Sequence, residues 1–287
     1  MTHNVSRRSF LVGAGASGAA ALMSSTIRPN PAAAGQFTGK IKKAVKYGMI
    51  QEDLSVMDKF KLLQDLGYDG VEPGVGDAVA HRDEMIKGVA ATGVEVHGVV
   101  NSSSPDIKAA IDAAKAIGAN SVLLVVPTDG NASYLANYEA RQDLIRKAVP
   151  HAEKQNIKLL IENVWASFLI EPLSMARFVD ELDSPMVGVY FDVGNNIRWG
   201  YAWHWVEVLG KRTGKLDIKE YSRELQNSEG LGAGFNVKLG EGSVDWPKVR
   251  NELAKIDFQG WATAEVRGGD RERLADIATR MNQVLDL

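Results

Sequence analysis

The sequence predicts a parallel α/β barrel of eight strands and eight helices, the TIM-barrel fold, in a single domain. From Ile41 onward, a helical stretch ending in a glycine or polar turn and a short apolar strand alternate eight times. Strands that alternate with helices form a parallel sheet, because each parallel pair needs a crossover connection. Residues 35–287 also match the usual size of this fold, about 250 residues. A doubly wound open sheet is the alternative, but no GxGxxG motif follows the first strand.

The N-terminal segment differs in character from the barrel. It carries "SRRSFLV", with Arg7 and Arg8 side by side, followed by the apolar, Gly/Ala-rich stretch "LVGAGASGAAALM". This arrangement matches a twin-arginine export signal, and Ala32 and Ala34 suit a small-x-small cleavage site. A membrane anchor is the alternative, but the stretch is well below the roughly 20 residues of a spanning helix. We therefore expect residues 1–34 to be a cleaved signal and linker, and the mature protein to be periplasmic or secreted.

The strands are short apolar runs bounded by turn residues. We predict them at 44–50, 70–74, 94–100, 121–127, 157–164, 187–194, 214–221 and 260–266. The stretch "SVMDKFKLLQDLG" is typical of the intervening helices. Met57, Phe60, Leu63 and Leu66 recur in it at helical spacing, and Gly67 supplies the C-terminal cap.

Composition excludes several classes of function. The net charge is −3, and no Lys/Arg run stands out beyond residues 40–46, so there is no electrostatic footprint for nucleic acid. The chain contains no cysteine, which excludes disulfides, thiol catalysis and thiolate metal ligands. Oxygen and imidazole remain as the only available metal ligands. We expect a small-molecule partner and no stable association with a membrane, and the sequence leaves open whether the chain forms homo-oligomers.

Acidic residues lie near the C-terminal ends of several predicted strands, where TIM barrels build their active sites. They are Glu72, Glu162, Asp192, Asp217 and Glu265. Counting along each strand in steps of two places the last four on the face that lines the barrel. A single acid of this kind usually caps a helix or pairs with an arginine. Four in phase could not all stay ionised without a cation, which favours a divalent metal, Mg²⁺ or Mn²⁺ rather than Zn²⁺.

Four motifs carry a family resemblance. "LLIENVW", "VYFDVGN", "LDIKEY" and "LGEGSVDWPKVRNEL", the last followed by "FQGWATAEV", resemble the sugar isomerase/epimerase branch of the xylose isomerase-like TIM barrels. The resemblance runs from about residue 44 to the end. It implies one divalent metal held by Glu162, Asp192, Asp217 and Glu265. It also implies that Glu162 and Glu265 exchange a proton at the substrate carbon, with the metal polarising the adjacent carbonyl.

Two positions depart from the family pattern. Asp217 stands in "DIKE" where the pattern has a histidine, and Asn195 stands where another histidine is common, three residues after Asp192. Both changes make the predicted site harder and more acidic.

Further residues are predicted to contact a sugar, each with an ordinary structural alternative. His97 either contacts a substrate hydroxyl or is a hydrogen-bonded core residue. Lys219 is expected to pair with Asp217 or to bind an oxyanion. Glu72 either orients the substrate or caps a helix, and Arg267 is either a substrate contact or a surface charge.

Tryptophans follow the acidic strands, where sugar rings often stack on aromatic side chains. Trp165 is the predicted substrate contact among them, and Trp199 is a further candidate. Trp203 and Trp205 have the alternative of packing a helix.

Three functions are consistent with these residues. The first is a metal-dependent isomerase or epimerase of keto-sugars. The second is a lyase or hydratase of 3-keto-sugars or 3-keto-glycosides, which export slightly favours because glycosides are met outside the cell. The third is a non-catalytic sugar-binding barrel whose metal site has decayed, an alternative based on Asp217 standing where the family pattern has a histidine. DNA cleavage of the AP-endonuclease type is least expected. Such enzymes use more histidines around several metals and need a basic surface for DNA, whereas this chain has only five histidines and a net charge of −3.

Overall fold

The computed structural model describes residues 34–165 and 168–287. The predicted export signal with Arg7 and Arg8 lies outside the described residues. Across these two ranges, no helix combines the length and the apolar character needed to cross a membrane.

The described strands form one parallel sheet. Their bounds are β1 Ile41–Lys46, β2 Gly70–Glu72, β3 Glu95–Val96, β4 Val99–Ser102, β5 Ser121–Leu124, β6 Lys158–Glu162, β7 Val187–Asp192, β8 Thr213–Ile218 and β9 Gly260–Ala264. The strand order is β3-β2-β1-β9-β8-β7-β6-β5-β4, so that all consecutive strands pair except β3 and β4, and β1 also pairs with β9. This is the barrel order, and the predicted fold is confirmed.

The third predicted strand is divided in two. β3 pairs with β2 at one end of the strand order, and β4 pairs with β5 at the other, with only His97 and Gly98 between them. One chain segment thus joins both ends of the sheet and nearly closes the barrel. Gly98 is needed at this break, because a Cβ there would lie 2.5 Å from Glu72 Oε1 and 2.9 Å from Ser121 Oγ.

Helices surround the sheet. Their bounds are α1 Val56–Asp65, α2 Val75–Ala80, α3 Arg82–Thr92, α4 Ile107–Ala116, α5 Tyr134–Arg146, α6 Val149–Gln155, α7 Pro172–Asp180, α8 Ala202–Leu209, α9 Arg223–Glu229, α10 Trp246–Lys255 and α11 Arg271–Leu285. In α1, Ser55 caps the N-terminus through Asp58 N, Phe60 and Leu63 are buried, and Met57 and Leu66 of the same pattern are half-buried. Gly67 follows with a φ of +71°, a conformation that favours glycine.

The core has two parts. The larger one lies between the sheet and the helices, and a small apolar layer of Leu123, Leu160 and Tyr190 fills part of the barrel interior. Several predicted strands extended two or three residues too far. The sequence from 187 to 194, for example, is strand only to Asp192, because the Asp192 carboxylate accepts hydrogen bonds from Gly194 N and Asn195 N and turns the chain there.

Candidate active site

Four carboxylates meet where β6, β7, β8 and β9 end. Glu162 and Asp192 are the last residues of β6 and β7, Asp217 is the next to last of β8, and Glu265 directly follows β9. Each offers one oxygen, and these oxygens all lie within 4.8 Å of one another. Three of the side chains are buried, and Glu265 is the most exposed of the four. The structure therefore brings together the four acids that the strand periodicity placed on one face, and this cluster could bind a metal ion.

Asparagines join the ends of β6 and β7. Asn163 Nδ2 donates to Asp192 O, and Asn163 Oδ1 accepts from Asp192 N, both at 2.8 Å. Asn195 Nδ2 donates to Glu162 Oε1 at 3.1 Å and to Asn163 O at 2.9 Å. Asn195, at the position where the family pattern has a histidine, thus holds the Glu162 carboxylate from the neighbouring loop.

Asp192 is fully buried and uses its two oxygens differently. Oδ1 accepts from Gly194 N at 2.8 Å and from Asn195 N at 2.7 Å. Oδ2 lies 2.9 Å from Lys219 Nζ. One oxygen shapes the loop, and the other faces the cluster.

Two lysines supply the positive charge of the site. Lys219 Nζ lies 2.9 Å from Asp192 Oδ2 and 3.0 Å from Glu265 Oε2. Lys46, the last residue of β1, lies 2.9 Å from Asp217 Oδ1 and 2.5 Å from Glu72 Oε2. The expected pairing of Lys219 with Asp217 is therefore wrong. β8 ends at Ile218, so strand alternation no longer fixes the direction of Lys219. The ammonium group that pairs with Asp217 belongs to Lys46 of β1 instead.

The surroundings move the pKa values of the glutamates apart. Burial, followed by the neighbouring Glu265 and Asp192 carboxylates, raises the pKa of Glu162 to about 8. Burial would also raise the pKa of Glu265, but the Lys219 and Lys46 ammonium groups outweigh it and hold that pKa below its ordinary value. A carboxyl group that keeps its proton beside one that releases it is the arrangement of an acid/base pair.

Burial also raises the pKa values of the two aspartates. It raises the pKa of Asp192 to about 6, against the effect of Lys219. It raises the pKa of Asp217 well above its ordinary value, against the effect of Lys46. Both carboxylates therefore depend on nearby positive charge to remain ionised at neutral pH.

A chain of hydrogen bonds fills the barrel beneath the cluster. Tyr190 Oη donates to Glu72 Oε2 at 3.0 Å and lies 2.8 Å from Thr263 Oγ1. Thr263 Oγ1 lies 3.1 Å from His97 Nε2, and His97 Nδ1 lies 2.9 Å from Lys215 Nζ. Burial lowers the pKa of Lys215 to about 7 and lowers the pKa of His97 as well. His97 is thus the hydrogen-bonded core residue of the two alternatives, and Glu72 pairs inside the barrel rather than capping a helix.

The remaining predicted contacts lie around the mouth of the barrel. Trp165 and Trp199 are exposed beside the cluster, and Arg267 is exposed beyond β9. Trp205 is buried and stacks on Phe191 with ring centroids 6.0 Å apart, as a helix-packing residue does. Trp203 is half-buried in α8, where Lys248 Nζ of α10 lies 5.7 Å from its ring centroid.

Sequence reasoning missed Lys46 and the role of Glu220. Lys46 belongs to the basic run at residues 40–46, but it lies two residues after Ala44 in β1 and therefore shares the inward face of that strand. Glu220 Oε2 accepts from Gly240 N at 2.9 Å and from Trp246 Nε1 at 2.8 Å, and Oε1 accepts from Val244 N at 3.1 Å. Glu220, the last residue of "DIKE", therefore fastens the "GEGSVDW" loop to the end of β8, which gives both motifs a structural role.

Comparisons with known proteins agree with the fold. A family model described as xylose isomerase-like TIM barrel matches residues 60–283. A protein of Escherichia coli (strain K12) that carries the provisional name L-ribulose-5-phosphate 3-epimerase SgbU is 24% identical over 241 residues. The match covers 74% of this chain and 83% of that protein.

Solved structures of low sequence identity share the architecture. The 3-keto-D-glucoside 4-epimerase YcjR from E. coli has a TM-score of 0.70 at 15% identity, with 85% of this chain and 99% of that chain covered. D-psicose 3-epimerase from Clostridium cellulolyticum H10 has a TM-score of 0.71 at 15% identity, with 86% and 100% covered. The IOLI protein with a bound zinc atom has a TM-score of 0.68 at 15% identity, with 85% and 98% covered.

Proposed function

This chain belongs to the xylose isomerase-like TIM-barrel family, and from that premise we propose that it is a metal-dependent epimerase or isomerase of keto-sugars. The observation that carries the proposal is the convergence of Glu162, Asp192, Asp217 and Glu265 within 4.8 Å at the ends of β6–β9. The names of two solved relatives, epimerases of D-psicose and of a 3-keto-D-glucoside, support a sugar with a ketone as the substrate class.

The donor chemistry of the cluster fits a divalent cation. One oxygen of each of the four carboxylates lies within 4.8 Å of the corresponding oxygens of the other three, so a single ion could contact all four. We assign these four residues as the ligands of one ion. Because all four donors are oxygens, Mn²⁺ or Mg²⁺ suits the site best. When bound, the ion would polarise the sugar carbonyl and favour loss of the adjacent proton.

Glu162 and Glu265 are suited to move that proton. They are the outer two of the four acids, since β7 and β8 lie between β6 and β9 in the sheet. One glutamate carboxylate takes the proton from the carbon beside the carbonyl, and the C–H electron pair passes toward the carbonyl oxygen to give an enediolate. The other glutamate, as the carboxylic acid, returns a proton to the opposite face of that carbon. The stereocentre is inverted, and the two glutamates have exchanged protonation states.

Neighbouring residues keep the pair in position. Asn195 Nδ2 donates to Glu162 Oε1 at 3.1 Å, and Lys219 Nζ lies 3.0 Å from Glu265 Oε2. Lys219 Nζ also donates to Asn195 Oδ1 at 3.1 Å, so one side-chain bridge links both glutamates. Such preorganisation is what proton transfer at a fixed carbon requires.

Proton exchange tests the proposal directly. In D₂O, the wild-type protein with added Mn²⁺ should replace the hydrogen beside the carbonyl of a keto-sugar by deuterium, measured by NMR on D-tagatose, D-psicose and a 3-keto-glucoside. Glu162→Gln and Glu265→Gln keep an oxygen for the ion but cannot accept a proton, so exchange should fall about 10²- to 10⁴-fold. Glu139→Gln, on the exposed face of α5, is the matched control and should exchange normally.

The products separate the candidate functions. An epimer or an isomer supports the proposal, whereas an unsaturated, dehydrated sugar would identify the lyase alternative. Absence of exchange with all three sugars would contradict the enzyme assignment and favour the sugar-binding barrel.

We also propose that residues 1–34 direct export by the twin-arginine route, so that the enzyme works in the periplasm or outside the cell. The proposal is supported by the Arg7–Arg8 pair and the small residues at Ala32 and Ala34.

A further inference from the structure

A cavity adjoins the acidic cluster. It has a volume of about 630 Å³ and lies between the loop after β6 and the loop after β7. Its lining includes Trp165, Asn195, Arg198, Trp199, Tyr201 and His204. Asn195 belongs to both regions, because its side chain contacts Glu162 and Lys219. A ligand in this cavity would therefore be next to whatever the carboxylates hold.

The wall of the cavity is aromatic and exposed. Trp199 is 74% exposed, Tyr201 48% and Trp165 40%. The Arg198 guanidinium carbon lies 4.5 Å from the ring centroid of Trp199 and 5.0 Å from that of Trp165, within the range of a cation–π contact with both rings. Aromatic residues concentrated at one exposed site usually mark a binding surface.

This wall is held in place before any ligand binds. Trp165 Nε1 donates to Asn195 O at 2.5 Å. Arg223 Nε donates to Ile197 O at 2.8 Å, and its Nη2 donates to Gly200 O, which fastens the loop after β7 from below. A surface that is already ordered binds its ligand at a smaller entropic cost.

Polar groups on the wall indicate the chemistry of the ligand. Arg198 and Asn196 line the cavity, and both side chains carry N–H groups, which suit the hydroxyl and ring oxygens of a sugar. Glu171 also lines the cavity, and its carboxylate accepts from Leu173 N and Ser174 N as the cap of α7. The Glu171 carboxylate and the Arg198 guanidinium carry opposite charges on the same lining, so these two groups together provide no net positive charge for a phosphate.

We propose that this cavity is a subsite for a second, uncharged pyranose ring, so that the substrate is a keto-glycoside rather than a free or phosphorylated monosaccharide. The apolar face of a pyranose matches the exposed indole surfaces, and its oxygens can accept hydrogen bonds from the side chains of Arg198 and Asn196. The assignment of a substrate rests on the proposed function, whereas the subsite itself rests on the cavity.

Sugar binding tests the subsite, with Glu265→Gln as the parent protein so that the proposed reaction does not turn the probes over. The probes are D-fructose, fructose 6-phosphate and three keto-disaccharides, turanose, isomaltulose and lactulose, measured by calorimetry in the presence of Mn²⁺. At least one disaccharide should bind the parent protein ten-fold or more tightly than D-fructose does. Trp199→Ala should abolish that preference, and Trp199→Phe, which keeps a flat ring, should retain most of it.

Leu135→Ala is the matched control, because Leu135 is an exposed apolar residue on α5 (69%, against 74% for Trp199) that does not line the cavity. It should leave the preference unchanged. Disaccharides that bind no tighter than D-fructose would overturn the proposal, and so would fructose 6-phosphate binding more tightly than every disaccharide. Light scattering that finds a wild-type oligomer and a Trp199→Ala monomer would make the surface a subunit interface and would also overturn it.

The outcome can be separated from that of the proposed function. A Trp199-dependent preference for disaccharides without any proton exchange would support the subsite while the catalytic assignment fails. Proton exchange in keto-sugars without a disaccharide preference would leave the catalytic assignment standing and overturn the subsite.

Discussion

Replacing Lys46 by methionine should destabilise the protein severely, because Lys46 neutralises two buried carboxylates at once. Its ammonium group lies 2.9 Å from Asp217 and 2.5 Å from Glu72, and both carboxylate side chains are fully buried. Removing one partner of a buried ion pair typically costs about 3–5 kcal/mol. For a domain of this size, each kcal/mol shifts the melting temperature by about 2–4 °C, so Lys46→Met should lower it by roughly 6–20 °C at pH 7.

The double variant Lys46→Met/Asp217→Asn identifies the cause. It removes one of the two unpaired carboxylates and should recover part of the loss, while Glu72 keeps its hydrogen bond from Tyr190. The assay is thermal denaturation followed by circular dichroism, with a chelator present so that metal binding does not contribute.

Acid should also rescue the single variant. Burial raises the folded-state pKa of Asp217 well above the unfolded value, and without Lys46 the attraction that opposes this rise is gone. The folded state then binds more protons than the unfolded state, so its stability increases as the pH falls from 7 toward 5. A Lys46→Met protein that melts within 2 °C of the wild type at pH 7 would refute the reasoning.

Two further predictions concern the metal and export. If Asp217 is a ligand, Asp217→His should shift the metal preference in competition binding from Mn²⁺ and Mg²⁺ toward Zn²⁺, Co²⁺ or Ni²⁺, because imidazole suits the later metals. An unchanged order of metals would mean that Asp217 is only the ion-pair partner of Lys46. If residues 1–34 are a twin-arginine signal, replacing Arg7 and Arg8 by lysine should trap the precursor inside the cell, and normal secretion in a fractionation experiment would contradict the assignment.

The fold and the acidic cluster were accessible from the sequence because both depend on local patterns. Alternation of strands and helices predicts the parallel barrel, and the two-residue period of a strand predicts that Glu162, Asp192 and Asp217 share a face. The break between β3 and β4 was not accessible, because it depends on Glu72 and Ser121 packing against Gly98 from other strands. The partners of Asp217 and His97 were missed for the same reason, since β1 and β8 supply them across the barrel.

The interrupted third strand has a consequence for how the protein resists association through its sheet. β3 and β4 terminate the strand order at its two ends, and unpaired strand edges are templates on which other chains can add and aggregate. Here the two ends belong to one continuous segment, so each protects the other. In the gap, Lys215 Nζ donates to His97 O at 2.6 Å, and Asn120 N donates to the same oxygen at 3.2 Å. Protection against intermolecular strand pairing therefore depends on the two residues between β3 and β4, His97 and Gly98. At this point the buried Lys215 ammonium group donates to a backbone carbonyl, as a neighbouring strand otherwise would.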